Sequence, residues 1–269
     1  MSTTETSMSD NGNYPKLCSE IASNDELFDS FRSSDDSIYK GILEHVHPQL
    51  GYMYYQTIKE YYPEISEEVI GKASSNDIKG RPAIISYPFG DYCPSSLRYL
   101  KVALDLLKCF PEIGDMNVLE IGGGYGGQCV VSDAISGFSS WTIVDLPEVN
   151  ELQKRYLKDA DNVSMLSCHN EIFEEKYDLV ISNYAFSECI REYQDKYIKS
   201  FMNNGEKIYM TCNFHGDIDN RYTKDEIING IGCEVFDEFP LTYPNNIIAV
   251  KGHCVGSFKK PSSGPVGAF

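Results

Sequence analysis

The chain changes rhythm twice along its length. From 38 to about 70 the apolar residues recur at threes and fours: Leu43, Val46 and Leu50, then Met53, Tyr54, Ile58 and Tyr61. That spacing predicts helices, with Pro48 and Pro63 as punctuation. Residues 71–94 are irregular and rich in Gly, Pro and Ser. Pro94-Ser95-Ser96 then opens a helix with Leu97, Leu100, Ala103, Leu104 and Leu107 on one face. Cys109-Phe110-Pro111 closes it. From Asn117 onward, short apolar runs alternate with helical stretches. Strands are expected at 118–121, 141–144, 163–166, 177–182 and 207–212. Alternation of this kind predicts a doubly wound, mostly parallel sheet with helices on both faces. The end is different. Residues 233–239 and 247–251 read as consecutive strands around a Pro/Asn loop, an antiparallel C-terminal hairpin.

This patterning predicts four regions. Residues 1–36 are expected to form a disordered acidic tail, and 37–93 a helical cap or lid. Residues 94–252 form the α/β domain, and 253–269 a Gly/Pro/Ser-rich tail. A hydrophobic share of 42% suits an ordinary soluble domain. No apolar run reaches the roughly 18 residues of a membrane span, and 1–13 lacks the apolar core of a secretory signal. The nine cysteines form no C-x-x-C pair, and their odd count argues against a disulfide framework. The expected compartment is the reducing cytoplasm. The formal charge of −17, from 40 acidic and 23 basic residues, argues against nucleic acid or anionic membranes as partners. The tyrosines of the N-terminal helices, Tyr52, Tyr54, Tyr55, Tyr61 and Tyr62, read as half-buried core that could also cover a ligand or pair subunits in a homo-oligomer.

The densest information lies in Val118-Leu119-Glu120-Ile121-Gly122-Gly123-Gly124-Tyr125-Gly126-Gly127. An apolar strand ends in a carboxylate, breaks into glycines, and leads into a helix at 128–135. Glycines permit a sharp turn and close approach of a ligand, and a helix start offers free N–H groups. Two templates overlap. Gly122, Gly124 and Gly127 spell the dinucleotide pattern G-x-G-x-x-G. Glu120, Gly122, Gly124 and Gly126 spell acidic-x-G-x-G-x-G, which resembles the first motif of class I S-adenosylmethionine-dependent methyltransferases. Glu120 separates them: it would repel a pyrophosphate and can balance a methionine ammonium. Asp145, 25 residues after Glu120 and just before Leu146-Pro147, stands where a carboxylate accepts from both ribose hydroxyls.

Glu-Ile-Gly-Gly-Gly-Tyr-Gly-Gly-Gln at 120–128, Asp-Leu-Pro at 145–147 with Leu152-Gln153 and Tyr156-Leu157, Ser-Asn-Tyr-Ala-Phe-Ser-Glu at 182–188 with Gln194 and Tyr197, and Ser-Leu-Arg-Tyr-Leu at 96–100 together resemble the sugar O-methyltransferase family. The resemblance covers roughly residues 80–252 and implies a Rossmann-like class I methyltransferase fold, S-adenosylmethionine as cofactor, and a sugar or glycan hydroxyl as acceptor.

Candidate residues follow from the loops at the carboxyl ends of the strands, where such sheets bind ligands. For the cofactor these are Glu120, Gly122, Gly123, Gly124, Gly126, Asp145, Leu146, Ser167, Asn170, Asn183 and Arg98, the last toward the methionine carboxylate. For the acceptor they are Tyr184, Asn213 and Tyr92, the last in Tyr87-Pro88-Phe89-Gly90-Asp91-Tyr92, a segment able to close as a lid. A hydroxyl attacking a sulfonium methyl gains most from positioning and further from a general base. Glu188 is the first candidate, then His215 and His169. Asp217 and Asp219 are hard oxygen donors on a polar loop, and no metal is expected there. The rivals are an NAD-dependent oxidoreductase using the overlapping glycines, and a non-catalytic methyltransferase-like subunit.

Overall fold

The structure is a computed structural model that describes residues 7, 9–10, 12–33, 37–170, 175–203, 207–214, 220–252 and 258. Its centre is a seven-stranded sheet. In chain order the strands are β3 (Asn117–Ile121), β4 (Ser140–Asp145), β5 (Val163–Ser167), β6 (Leu179–Asn183), β7 (Lys207–Cys212), β8 (Glu234–Asp237) and β9 (Ile247–Lys251). A separate two-stranded hairpin, β1 (Ile85–Tyr87) and β2 (Gly90–Tyr92), precedes them. The spatial order of the large sheet is β5-β4-β3-β6-β7-β9-β8. The first five are parallel, and β9 runs antiparallel to both β7 and β8. This is the doubly wound sheet with a C-terminal antiparallel pair expected of a Rossmann-like methyltransferase domain. Val118, Leu119, Leu179, Val180, Ile181, Ile208 and Tyr209 are fully enclosed, as parallel strands covered on both faces require.

The helices are α1 (Asn13–Ser23), α2 (Asp25–Ser30), α3 (Ser37–Ile42), α4 (Pro48–Tyr61), α5 (Glu67–Gly71), α6 (Pro94–Cys109), α7 (Gly127–Ser136), α8 (Pro147–Tyr156), α9 (Ala185–Glu188) and α10 (Arg191–Tyr197). The α6 helix is wrapped more fully than its apolar stripe foretells. Lys101 and Asp105 are also buried, ion-paired at 2.5 Å, and Asp105 further accepts from the Tyr62 and Tyr209 hydroxyls.

The expected tail at 1–36 is corrected: α1 and α2 are packed helices. Tyr14, Cys18 and Ile21 share one buried face of α1. Arg155 of α8 bonds to Ala22 O at 2.9 Å and lies 4.2 Å over the Phe28 ring. The polar composition of the segment hides an apolar spacing that only α8 completes. Residues 37–93, expected as a helical cap, contain α3 to α5 and the β1–β2 hairpin. Nearly all of the expected C-terminal tail lies outside the described residues.

Candidate functional site

The sheet order reverses between β3 and β6, and the loops leaving their carboxyl ends diverge around a crevice. A cavity of about 490 Å³ fills it. One end is the glycine turn after β3. Gly122 and Gly124 have φ of 71° and 56°, which side chains disfavour. A Cβ on Gly122 would stand 2.1 Å from Ala185 Cβ, and one on Gly124 would stand 2.8 Å from Leu43 Cδ2. The turn is therefore pressed between α9 and the cap.

Two carboxylates serve this end. Glu120 is 1% exposed and accepts from Trp141 Nε1 at 3.0 Å. Burial pushes its carboxyl up to about 8; the Asp145 charge adds to this, while Trp141 and Arg98 oppose it. Asp145 accepts from Leu146 N and Gln153 Nε2, each at 2.9 Å. Burial raises it to about 7 against the pull of those donors and of the Gly123 and Gly124 backbone. Gln153 also donates to Gly124 O at 2.8 Å, tying Asp145 to the turn.

Arg98 of α6 is the one Lys or Arg lining the cavity among the described residues. Its guanidinium lies 4.9 Å over the Tyr99 ring and 5.7 Å over the Tyr184 ring, and donates to His45 Nε2 at 3.3 Å. No carboxylate pairs with it among the described residues. His45 is pushed down to about 4 by burial and by Arg98, so it is neutral and accepts.

The other end follows β6. Tyr184 adopts φ 70° and donates its hydroxyl to Glu238. Glu188, closing α9, accepts from Asn213 Nδ2 at 2.6 Å through Oε1. Its Oε2 has no hydrogen-bond partner among the described residues. Buried Asn183 Nδ2 and Asn213 Oδ1 also lack partners there.

Of the sequence candidates, Glu120, Gly122, Gly123, Gly124, Asp145, Leu146, Arg98, Asn183, Tyr184, Asn213 and Glu188 line this one cavity. Others lie elsewhere. Gly126 caps α7 at φ 100° and packs on Leu157. The turn after β5, closed by Asn170 N to Ser167 O, directs Cys168 to the cavity. His169 and Asn170 are consequently exposed, and Ser167 accepts from His169 N. Tyr92 is corrected too. It sits in the β1–β2 hairpin, whose Phe89 stacks on Tyr55 at 3.4 Å between centroids, away from the cavity. The roof comes instead from Tyr14 of α1 and from Ile42, Leu43 and His45. His215, Asp217 and Asp219 lie outside the described residues. His45 and the residues after β8, Thr242 and Asn246, were missed: isolated polar residues in loops carry no signal until the fold brings them together.

No family model matches the chain, and no curated protein matches it. Among solved structures it is similar to a Thermoplasma acidophilum protein at 18% identity, covering 59% of this chain and 89% of that one, TM-score 0.44. It is similar also to a Haloferax volcanii methyltransferase crystallised with the Trm112 activator, at 17% identity over 59% and 90%, TM-score 0.43. A third is NcsB1, an O-methyltransferase of neocarzinostatin biosynthesis in complex with S-adenosylhomocysteine, at 12% identity over 59% and 58%, TM-score 0.39. These likenesses are of chain path, at identities too low to carry a function.

Proposed function

We propose that the chain is an S-adenosylmethionine-dependent O-methyltransferase acting on a sugar or glycan hydroxyl. The observation that carries the reading is one cavity with two chemically distinct ends: a glycine turn flanked by buried Glu120 and half-buried Asp145, and, among the described residues, a carboxylate oxygen without a hydrogen bond beside unsatisfied amides. The first end fits the cofactor. Gly122 and Gly124 leave backbone where a side chain would collide. Glu120 would hold the methionine ammonium, Asp145 the ribose diol and Arg98 the methionine carboxylate. A pyrophosphate would find no cation in these two carboxyl groups and would be repelled by them once ionised, which disfavours the nicotinamide alternative.

Bound there, S-adenosylmethionine supplies an electrophilic methyl group. At the other end Glu188 Oε2 takes the acceptor hydroxyl's proton, while Asn213 holds Oε1 and so fixes the carboxylate's direction. Asn183 and Tyr184 line the same wall and orient the acceptor. Tyr14 and Leu43 roof the crevice and exclude water. Positioning of this kind is worth about 7–11 kcal/mol, and a base adds about 10²–10⁴-fold.

Isothermal titration tests the reading. S-adenosylhomocysteine should bind and NAD should not. Asp145→Ala should weaken that binding at least about tenfold. Glu188→Gln should leave it intact and lower turnover by about 10²-fold or more. A folded protein that ignores S-adenosylhomocysteine would overturn the assignment.

A further inference from the structure

Two amides on the cavity wall, Asn213 and Asn246, are each held by a carboxylate. Asn213 gives its Nδ2 to Glu188. Asn246 gives its Nδ2 to Glu238 Oε2 at 3.0 Å and to Thr242 Oγ1 at 2.9 Å. A carboxylate only accepts, so each amide must turn its NH₂ toward it, and chemistry fixes both orientations. The carbonyl oxygens are left over. Asn213 and Asn246 are 5% and 3% exposed, and neither Oδ1 meets a donor among the described residues. Both oxygens are closed to solvent; a buried acceptor without a donor costs stability, and a small side-chain rotation that brings it to a ligand hydroxyl removes that cost.

The inventory of this end is lopsided. Among the described residues, Asn213 Oδ1 and Asn246 Oδ1 are buried acceptors without a donor, Glu188 Oε2 has no hydrogen bond, and Asn183 Nδ2 is a buried donor without an acceptor. Its complement is a ligand rich in O–H groups. A carboxylate or phosphate offers acceptors only and would also face the Glu188 charge. Glu238, 3% exposed, organises the wall from behind. It takes the Tyr184 hydroxyl on one oxygen, and Thr242 N at 3.0 Å and Thr242 Oγ1 at 2.6 Å on the other.

We propose that the β8–β9 connection selects the acceptor: Asn246, with Asn213, receives the hydroxyls of a neutral sugar bearing no acidic substituent, and Glu238 is the positioning residue that aims Asn246. This rests on the methyltransferase reading above and names its substrate class.

Saturation-transfer NMR on the full chain, with and without S-adenosylhomocysteine, tests it with glucose against glucuronate and galactose against galacturonate. The neutral sugars should bind about tenfold or more tightly than the uronates. Asn246→Leu should weaken neutral-sugar binding about tenfold and leave the S-adenosylhomocysteine Kd unchanged. Glu238→Leu removes the acceptor that aims the Asn246 amide, so the preference for neutral sugar should shrink about tenfold in the folded variant. A merely structural role would not move that ratio. Preference for uronates, no transfer to any of the four sugars, or full neutral-sugar binding by folded Asn246→Leu overturns the proposal. If that variant does not fold, the wild-type preference decides. Sugar selectivity without S-adenosylhomocysteine binding would sink the cofactor reading alone.

Discussion

Glu120 and Asp145 keep their protons up to about 8 and about 7 because the crevice strips water from them. In an unfolded chain both would ionise in the ordinary carboxylate range. The native state therefore binds more protons over that interval, and the stability this contributes is lost as pH climbs through about 7 and 8. The Tm of the ligand-free protein should fall between about pH 5 and about pH 8 and level off above, and Glu120→Gln should flatten that fall. A cation at Glu120 reverses the preference by favouring the ionised form. S-adenosylhomocysteine, which carries the same ammonium, should bind more tightly as pH rises across that window. Calorimetry at several pH values checks this, and a pH-independent Kd would contradict the placing of the ammonium at Glu120.

At the scale of elements, the cap is fastened by a buried cation. Arg32, 2% exposed and just after α2, pairs with Glu44 at 2.6 Å and lies over the Tyr125 ring at 4.9 Å. It also donates to the carbonyl of Asn76. Glu44 in turn accepts from Ser95 of α6 at 2.6 Å. Removing the guanidinium leaves Glu44 buried without its cation. Arg32→Ala should cost about 3–5 kcal/mol by urea denaturation, with faster proteolysis between α2 and α4. The glycine turn, Asp145 and the five parallel strands were legible in the sequence because contiguous residues determine them. Lys207–Cys212 and Pro94–Cys109 fall where the periodicity puts them. Arg32, His45, Glu238 and Asn246 were not legible. Tyr184 meets Glu238 across 54 positions, and Arg32 meets Cys93 across 61. A lone charge in a polar stretch reads as surface until its partner is known. The α1 helix failed for the same reason: half of its packing belongs to α8.

For the whole molecule, a formal charge of −17 makes compactness work against self-repulsion. Raising NaCl from about 20 mM to about 200 mM should lift the Tm by a few degrees, because the screening length shrinks to about 10 Å or less. A Tm that fell with salt would mean that attractive pairs outweigh the excess charge. The two ends of the crevice meet at Tyr184. Its backbone N–H is pinned to β7 by Thr211 O at 2.7 Å, its hydroxyl is held by Glu238, and its neighbour Ala185 bears on Gly122. A residue moored on three sides acts as a fulcrum. An acceptor and a cofactor lodged at the two ends would then lean on one lever, and linkage would make their influence mutual: the factor by which either sharpens the hold on the other is the same in both directions.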